Sequence, residues 1–292
     1  MAASKQMLSL LVSALLLRMA TMLKISAFNI KTFGDSKMSN QTIADIIVSV
    51  SPGGRRAVLA ALWSLRCSWL GTVGHQLSTR ASSHSLYLTP SMSPHPYSFL
   101  DSIPLGRTSY KEQYVFIYRL DMVSVLESYY YNDSCCSCET DAFSRDPFIV
   151  KFSSPTTQVE EFVMVPLHAE PSRAAEEIDA LYDVYTDVVN KWATNNIFLL
   201  GDFNADCSYV TSAQWPSIRL RSLDACEWLI PDSADTTVSD TDCAYDRWVL
   251  WQGRVLPGSA TVNNFQKTFH LQSKDALAVS DHFPVEVTLK SR

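Results

Sequence analysis

Between Phe198 and Cys207 the chain reads FLLGDFNADC: an apolar run, a glycine, and then Asp202 and Asn204 on either side of Phe203. Residues i and i+2 of an extended segment share a face, so these two side chains can offer oxygens to one hard cation while Phe203 anchors in the core. The blander alternative is a turn capped by its own Asp and Asn. Two histidines stand at comparable places, His168 closing EEFVMVPLH and His282 leading into FPVEVTL. Either alone fits a core histidine satisfied by hydrogen bonds, yet imidazole, with an ordinary pKa of about 6.5, is also the side chain best placed to move a proton near neutrality. Its second nitrogen needs an orienting partner, and Glu112 and Asp246 are available. Asn29 closes SAFN and Asp281 precedes His282, so oxygen ligands and imidazoles gather at strand ends. Hydrolysis of a phosphodiester needs such a set: a base for water, an acid or cation at the leaving oxygen, and positive charge for the phosphoryl oxygens.

Rigid elements must hold these groups. LKISAFNI, YVFIYR, EEFVMVPLH, NNIFLLGDF and SDHFPVEVTL read as strands. MSNQTIADIIVSV reads as a helix, with Ser39 or Asn40 as N-cap and Ile43, Ile46, Ile47 and Val50 on one face. EPSRAAEEIDALYDVYTDVVNKW is a second helix, with Ala175, Ile178, Leu181, Tyr182, Tyr185, Val188 and Val189 at helical spacing. Strands outnumber helices and no internal repeat occurs, which favours a layered α/β sandwich over one doubly wound sheet. At 292 residues and 47% hydrophobic, the chain can bury one large core. Its net charge of -6 gives no general attraction to nucleic acid or to an anionic membrane, so a polyanionic partner must be met by local arginines and bound cations.

One lysine followed by the apolar run Met7 to Leu17 suits an export leader over residues 1–22 and is too short to span a bilayer. A single domain over 23–292, secreted and without stable membrane association, is the expectation. Of seven cysteines, Cys135 with Cys138 and Cys207 with Cys243 look pairable, leaving Cys67, Cys136 and Cys226. NQT at Asn40 and NDS at Asn132 are glycan acceptors in a secreted chain. One region is foreign in texture: the fifty-five residues between Asp45 and Asp101 hold no Asp or Glu, although the rest of the chain holds thirty. Within this divergent segment, at about 51–96, the apolar stretch AVLAALWSLRCSWL could be a helix or a buried strand. The segment is an ordinary loop insertion with a short core helix, an adapted binding insert, or a product of another reading frame or splice boundary.

The stretches LKISAFNIKTFGDSKMSN, PLGRTSYKEQYVFIYR, FSRDPFIVKF, VPLHAEP, EIDALYDVYTDV, LLGDFNADCSY, WLIPDSADTTV, CAYDR and SDHFPVEVTLK resemble the deoxyribonuclease I family, within the wider endonuclease/exonuclease/phosphatase fold. The resemblance runs from Leu23 to about Val50 and from Tyr97 to Leu289. It implies a four-layer α/β sandwich with two central, mainly antiparallel sheets flanked by helices. It also implies a monomeric endonuclease that hydrolyses double-stranded DNA to 5′-phosphate products with Mg2+ or Mn2+ and Ca2+. On this resemblance Glu112 orients His168, Asp246 orients His282, and the imidazoles share acid and base duty. Asn29, Asp202, Asn204 and Asp281 then place magnesium and phosphate, while Tyr110 and Arg145 are minor-groove and backbone contacts. Asp133, Asp141, the Phe143 carbonyl and Asp146 resemble one calcium site, and Asp235, Thr237, Ser239 and Thr241 another. The family's disulfides match Cys135 with Cys138 and Cys207 with Cys243. Some members bind actin through the segment that here reads FLDSIPL, where Asp101 and Ile103 replace an apolar and an acidic contact, so tight actin binding is not expected.

The chain departs from the family pattern after the first helix. There the family has a buried strand ending QEVR, whose Glu is a principal metal ligand and whose Arg enters the minor groove. GGRRAVLAALWSLRCSWL occupies the place, and no carboxylate from Ile46 to Leu100 can substitute. The expectation is a strongly impaired nuclease. The rivals are a DNA- or protein-binding module without cleavage, a related phosphoesterase acting on phospholipid or inositol phosphate, and an aberrant translation product.

Overall fold

The computed structural model describes residues 22–50, 59–65, 84–86, 95–132, 141–251 and 255–292. The leader, Asp133 and the Cys135–Cys138 pairing therefore fall outside the described residues. Two sheets form the centre. The first holds β1 (Lys24–Phe33), β2 (Leu59–Leu65), β3 (His84–Leu86), β4 (Tyr97–Asp101), β5 (Val115–Arg119), β12 (Thr261–Val262) and β13 (Val285–Thr288), in the order β12-β13-β1-β2-β5-β4-β3. The second holds β6 (Ser124–Tyr130), β7 (Phe148–Ser153), β8 (Glu161–His168), β9 (Ile197–Asp202), β10 (Cys226–Trp228) and β11 (Asp246–Trp251), in the order β10-β11-β9-β8-β7-β6. Among the described strands only β1 with β2 and β8 with β9 pair parallel. The sandwich of mainly antiparallel sheets is the architecture expected from the sequence.

Alternation along each strand separates three layers of core. In β1, Ile25 and Ala27 face the space between the sheets, where they meet Phe116, Phe162, Phe198 and Trp248. Phe28 and Ile30, one position out of phase, pack beneath the helices with Ile46, Ile47 and Val279. In β9, Phe198 and Leu200 enter the inter-sheet core, whereas Ile197 and Leu199 pack against Ile178, Leu181, Val184 and Val188 of the Ala174–Trp192 helix. Its buried face is turned slightly from the sequence expectation, because Val184 goes in while Tyr182, Tyr185 and Val189 sit at the rim. The tyrosines keep their hydroxyls near water there. In the Gln41–Val50 helix Asn40 takes the cap: its Oδ1 accepts from the Ile43 N–H at 3.4 Å.

The divergent segment resolves one open choice. Leu59–Leu65 is a strand, parallel to β1 and antiparallel to β5, and it fills a central slot of the first sheet. An empty slot would leave two inward rows of backbone N–H and C=O groups without partners, a cost that any apolar run able to extend can remove. The register sets Asn29 opposite Trp63.

Candidate active site

Four polar residues continue the inter-sheet rows of their strands. Asn29 follows Ile25 and Ala27, His168 follows Phe162 and Met164, Asp202 follows Phe198 and Leu200, and Asp246 precedes Trp248 and Leu250, each in steps of two. They share the face that buries the core but stand at its mouth. Register aligns them as well, because Asp202 is paired with His168 on one side and with Asp246 on the other. Gly201 makes the close approach of β8 and β9 feasible: its φ is +137°, and a Cβ there would lie 2.1 Å from the Leu167 carbonyl oxygen.

Asp202 is the centre of the arrangement. Its Oδ2 lies 3.5 Å from His168 Nε2 and 3.4 Å from His282 Nε2, and it accepts a hydrogen bond from Asn29 Nδ2 at 2.8 Å. Behind each imidazole stands a second carboxylate. Glu112 Oε2 is 2.7 Å from His168 Nδ1, and Asp246 Oδ2 is 2.7 Å from His282 Nδ1. Glu112 and Asp246 are thus the carboxylates that meet the two imidazoles. Arg145 closes the first pair, with Nε 2.6 Å from Glu112 Oε2 and Nη1 donating to the His168 carbonyl at 2.8 Å.

Three carboxylates act on His282. Burial alone would hold His282 neutral, but the charges of Asp246, Asp202 and Asp281 and the hydrogen bond to Asp246 outweigh it and raise the imidazole to about 10. Burial raises the Asp246 carboxyl in turn, while the carboxylates facing His282 favour the proton on the imidazole. Glu112 is also buried, yet His168 and Arg145 hold its carboxyl below the usual range. Stability follows from the His282 shift. A folded value raised above the ordinary 6.5 contributes stability fully below that pH and loses it as pH climbs through about 10. Denaturant unfolding without added cations is therefore expected to weaken more steeply between those limits in the parent than in His282→Gln. Parallel pH profiles would contradict the assignment.

The residues present suit a hard divalent cation. Asp202 and Asp246 bring carboxylate oxygens within 4.8 Å of each other, and the buried oxygens Asn29 Oδ1 and Asp246 Oδ1 have no hydrogen-bond partner in the protein. Two other residues expected at the cation are turned differently. Asn204 has φ +49°, so the chain leaves extension after Asp202; its N–H bonds Asp202 Oδ1 at 3.0 Å and its Nδ2 goes to the Ala169 carbonyl at 2.9 Å. Phe203 is buried, as expected, but on the helix side of the sheet, edge-on to Trp228. Asp281 stands at the rim and pairs with Lys31 Nζ at 2.8 Å.

Of the remaining expected residues, Tyr110 is exposed, and Asp141, Phe143 and Asp146 line one surface pocket. Asp235, Thr237, Ser239 and Thr241 fold onto one another, with Asp235 Oδ1 accepting from both the N–H and the Oγ1 of Thr237 at 2.9 Å. Cys207 and Cys243 are disulfide-bonded. Asn40 and Asn132 are exposed. Sequence reading missed the buried positioning groups. The Tyr114 hydroxyl accepts from the His168 N–H at 3.0 Å, Thr236 Oγ1 accepts from the Asp246 N–H at 3.1 Å, and Ser280 Oγ donates to the Asn29 carbonyl at 2.6 Å. Tyr114 and Ser280 are single hydroxyls with nothing in their spacing to mark them, and Thr236 sits among other hydroxyls in SADTTVSDTD, which do not single it out.

A family model described as the endonuclease/exonuclease/phosphatase family matches residues 55–282. The chain is 66% identical over 293 residues to a protein from Gallus gallus named Deoxyribonuclease-1, covering 99% of this chain and 100% of the relative. It is 52% identical to the Deoxyribonuclease-1 of Bos taurus, covering 96% of each. Among solved structures, the human Nocturnin catalytic domain superposes with a TM-score of 0.59 at 11% identity, covering 93% of this chain and 95% of that one. An endonuclease/exonuclease/phosphatase from Bacteroides vulgatus gives a TM-score of 0.58 at 15% identity, covering 93% and 100%. These two speak for the fold alone.

Proposed function

Because the chain belongs to the deoxyribonuclease I family, within the endonuclease/exonuclease/phosphatase family, and is by that membership a nuclease hydrolase, we propose that it is an exported, cation-dependent endonuclease of double-stranded DNA with much reduced turnover. The observation that carries the chemistry is the convergence of two imidazole Nε2 atoms, each backed by its own carboxylate, on Asp202 Oδ2 at 3.5 and 3.4 Å. His168, oriented by Glu112, takes the proton of the attacking water. His282, kept protonated beside Asp246, gives its proton to the departing O3′, so the P–O3′ bond breaks and a 5′-phosphate remains. Magnesium or manganese held by Asp202, Asp246 and Asn29 Oδ1 would supply positive charge to the phosphoryl oxygens. Calcium at the Asp141 and Asp235 groups would order the surrounding loops.

Reduced turnover is inferred from β2. No residue of Leu59–Leu65 is an acid, so Asn29 has no carboxylate across the parallel pairing. Loss of groups that merely orient metal ligands costs about 10- to 100-fold, and loss of a ligand should cost at least as much. Export is supported by the apolar start and by the Cys207–Cys243 disulfide, and no described helix is long and apolar enough to cross a membrane. It is taken to act as a monomer, and tight actin binding is not expected because Asp101 and Ile103, both exposed, replace an apolar and an acidic contact. Supercoiled plasmid given the purified chain with magnesium and calcium should be nicked slowly, and chelation should stop it. Nicking at the rate of the Gallus gallus relative would remove the impairment. Salt-dependent duplex binding without product would favour a binding module, and selective turnover of inositol phosphates a related phosphoesterase.

A further inference from the structure

Arg145, the arginine that the sequence marks for the DNA backbone, is committed elsewhere: its side chain is 13% exposed and is held between Glu112 and the His168 carbonyl. A second arginine nearby is placed differently. Arg107 lies on the connection between β4 and β5, the same one that carries Tyr110 and Glu112, and its side chain is 44% exposed. Its Nη2 donates to the Asp141 carbonyl at 2.6 Å and to the Phe143 carbonyl at 3.1 Å, and lies 3.2 Å from Asp141 Oδ1. Asp146 lines the same pocket. Carbonyl and carboxylate oxygens converging on one point are the donor set of a calcium-type ion, and here a guanidinium nitrogen takes them.

We propose that Arg107 is a resident counter-cation of the Asp141 and Phe143 oxygens in the pocket that Asp146 also lines, and that calcium entering this pocket displaces it toward a DNA phosphate. The second half of the proposal rests on the nuclease reading; the first does not. Calcium and the guanidinium need the same Phe143 and Asp141 oxygens and repel each other, so one must leave when the other binds. The released group is on an exposed connection beside Tyr110, and its planar fork suits a phosphate. Calcium would then add a phosphate contact without touching DNA. Two other cations face this corner: Arg173 Nη2 stands 3.5 Å from the Asp141 carbonyl, and Lys111 Nζ bonds the Gly106 carbonyl.

The test is calorimetric titration of calcium into the full chain, into Arg107→Gln, and into Lys111→Gln as a control for simple loss of charge. Arg107→Gln should bind calcium about two- to fivefold more tightly than the parent, the range of an exposed ion pair, with a smaller change in Lys111→Gln. Unchanged or weaker binding by Arg107→Gln overturns the competition. Should that variant misfold, Arg107→Met, which keeps the apolar stem and removes the charge, must bind calcium more tightly than the parent. The displacement is read by fluorescence anisotropy on a short duplex, with calcium as the sole divalent cation. Calcium should steepen the salt dependence of binding by about one phosphate contact, a slope change of ~0.9, in the parent and not in Arg107→Gln. An equal change in both proteins overturns the displacement. A chain that binds no duplex at all defeats the nuclease reading, while the titration still decides the competition.

Discussion

Alanine in place of His282 should lower single-turnover nicking of supercoiled plasmid by about 10²- to 10⁴-fold, the usual worth of positioned acid or base catalysis. His168→Ala should fall by a comparable factor. Both imidazoles present Nε2 to the same side of Asp202 and have Nδ1 fixed by Asp246 or Glu112, so each is preset for transfer at one atom. Because they act on one transition state, the double variant should lose little beyond either single change. Glu112→Gln tests the orienting role alone, while Asp246→Asn also alters a group assigned to the cation. Each retains size and most packing but removes the charge that fixes the imidazole, so activity should fall while unfolding stays cooperative. Enzyme in excess over plasmid makes the assay sensitive enough for a slow parent. Cleavage at the parent rate by either alanine variant would sink the pairing as the catalytic device.

Much of this site was legible because it follows strand periodicity. Asn29, His168 and Asp202 each continue an alternating apolar row at the end of a strand visible in the sequence, whereas Asp246 opens β11, a strand the sequence reading did not include. Their mutual distances depend on sheet order and register, which no local spacing records. Asn204 shows where local reasoning ran out: extension predicted a shared face with Asp202, but a left-handed residue redirects the side chain to Ala169. Tyr114, Thr236 and Ser280 were invisible for another reason, since a single buried hydroxyl gains its meaning only from a backbone group far along the chain. The stretch after the first helix was the hardest. Its apolar residues fit helix or strand, and the choice came from the vacancy between β1 and β5.

That same vacancy makes the most informative gain of function. β2 is parallel to β1, and Asn29 is paired with position 63. Paired positions on neighbouring strands present their side chains to one face of a sheet, whereas a shift by one residue reverses the face. Trp63→Glu should therefore raise magnesium-dependent nicking by at least about 10-fold, the lower end of the loss assigned to the missing ligand, and Ser64→Glu should not. A carboxylate on a central strand is costly without a partner, so Trp63→Glu should be less stable than the parent in chelator. Magnesium that binds only the folded variant should then recover stability by mass action, and its melting temperature should climb further with magnesium than the parent's. The two readouts are independent: melting reports the ligand set, and nicking reports its use. If position 63 changes neither while position 64 changes both, the register that joins β2 to the site is wrong by one residue. If neither position responds, the low turnover has a cause other than the absent acid.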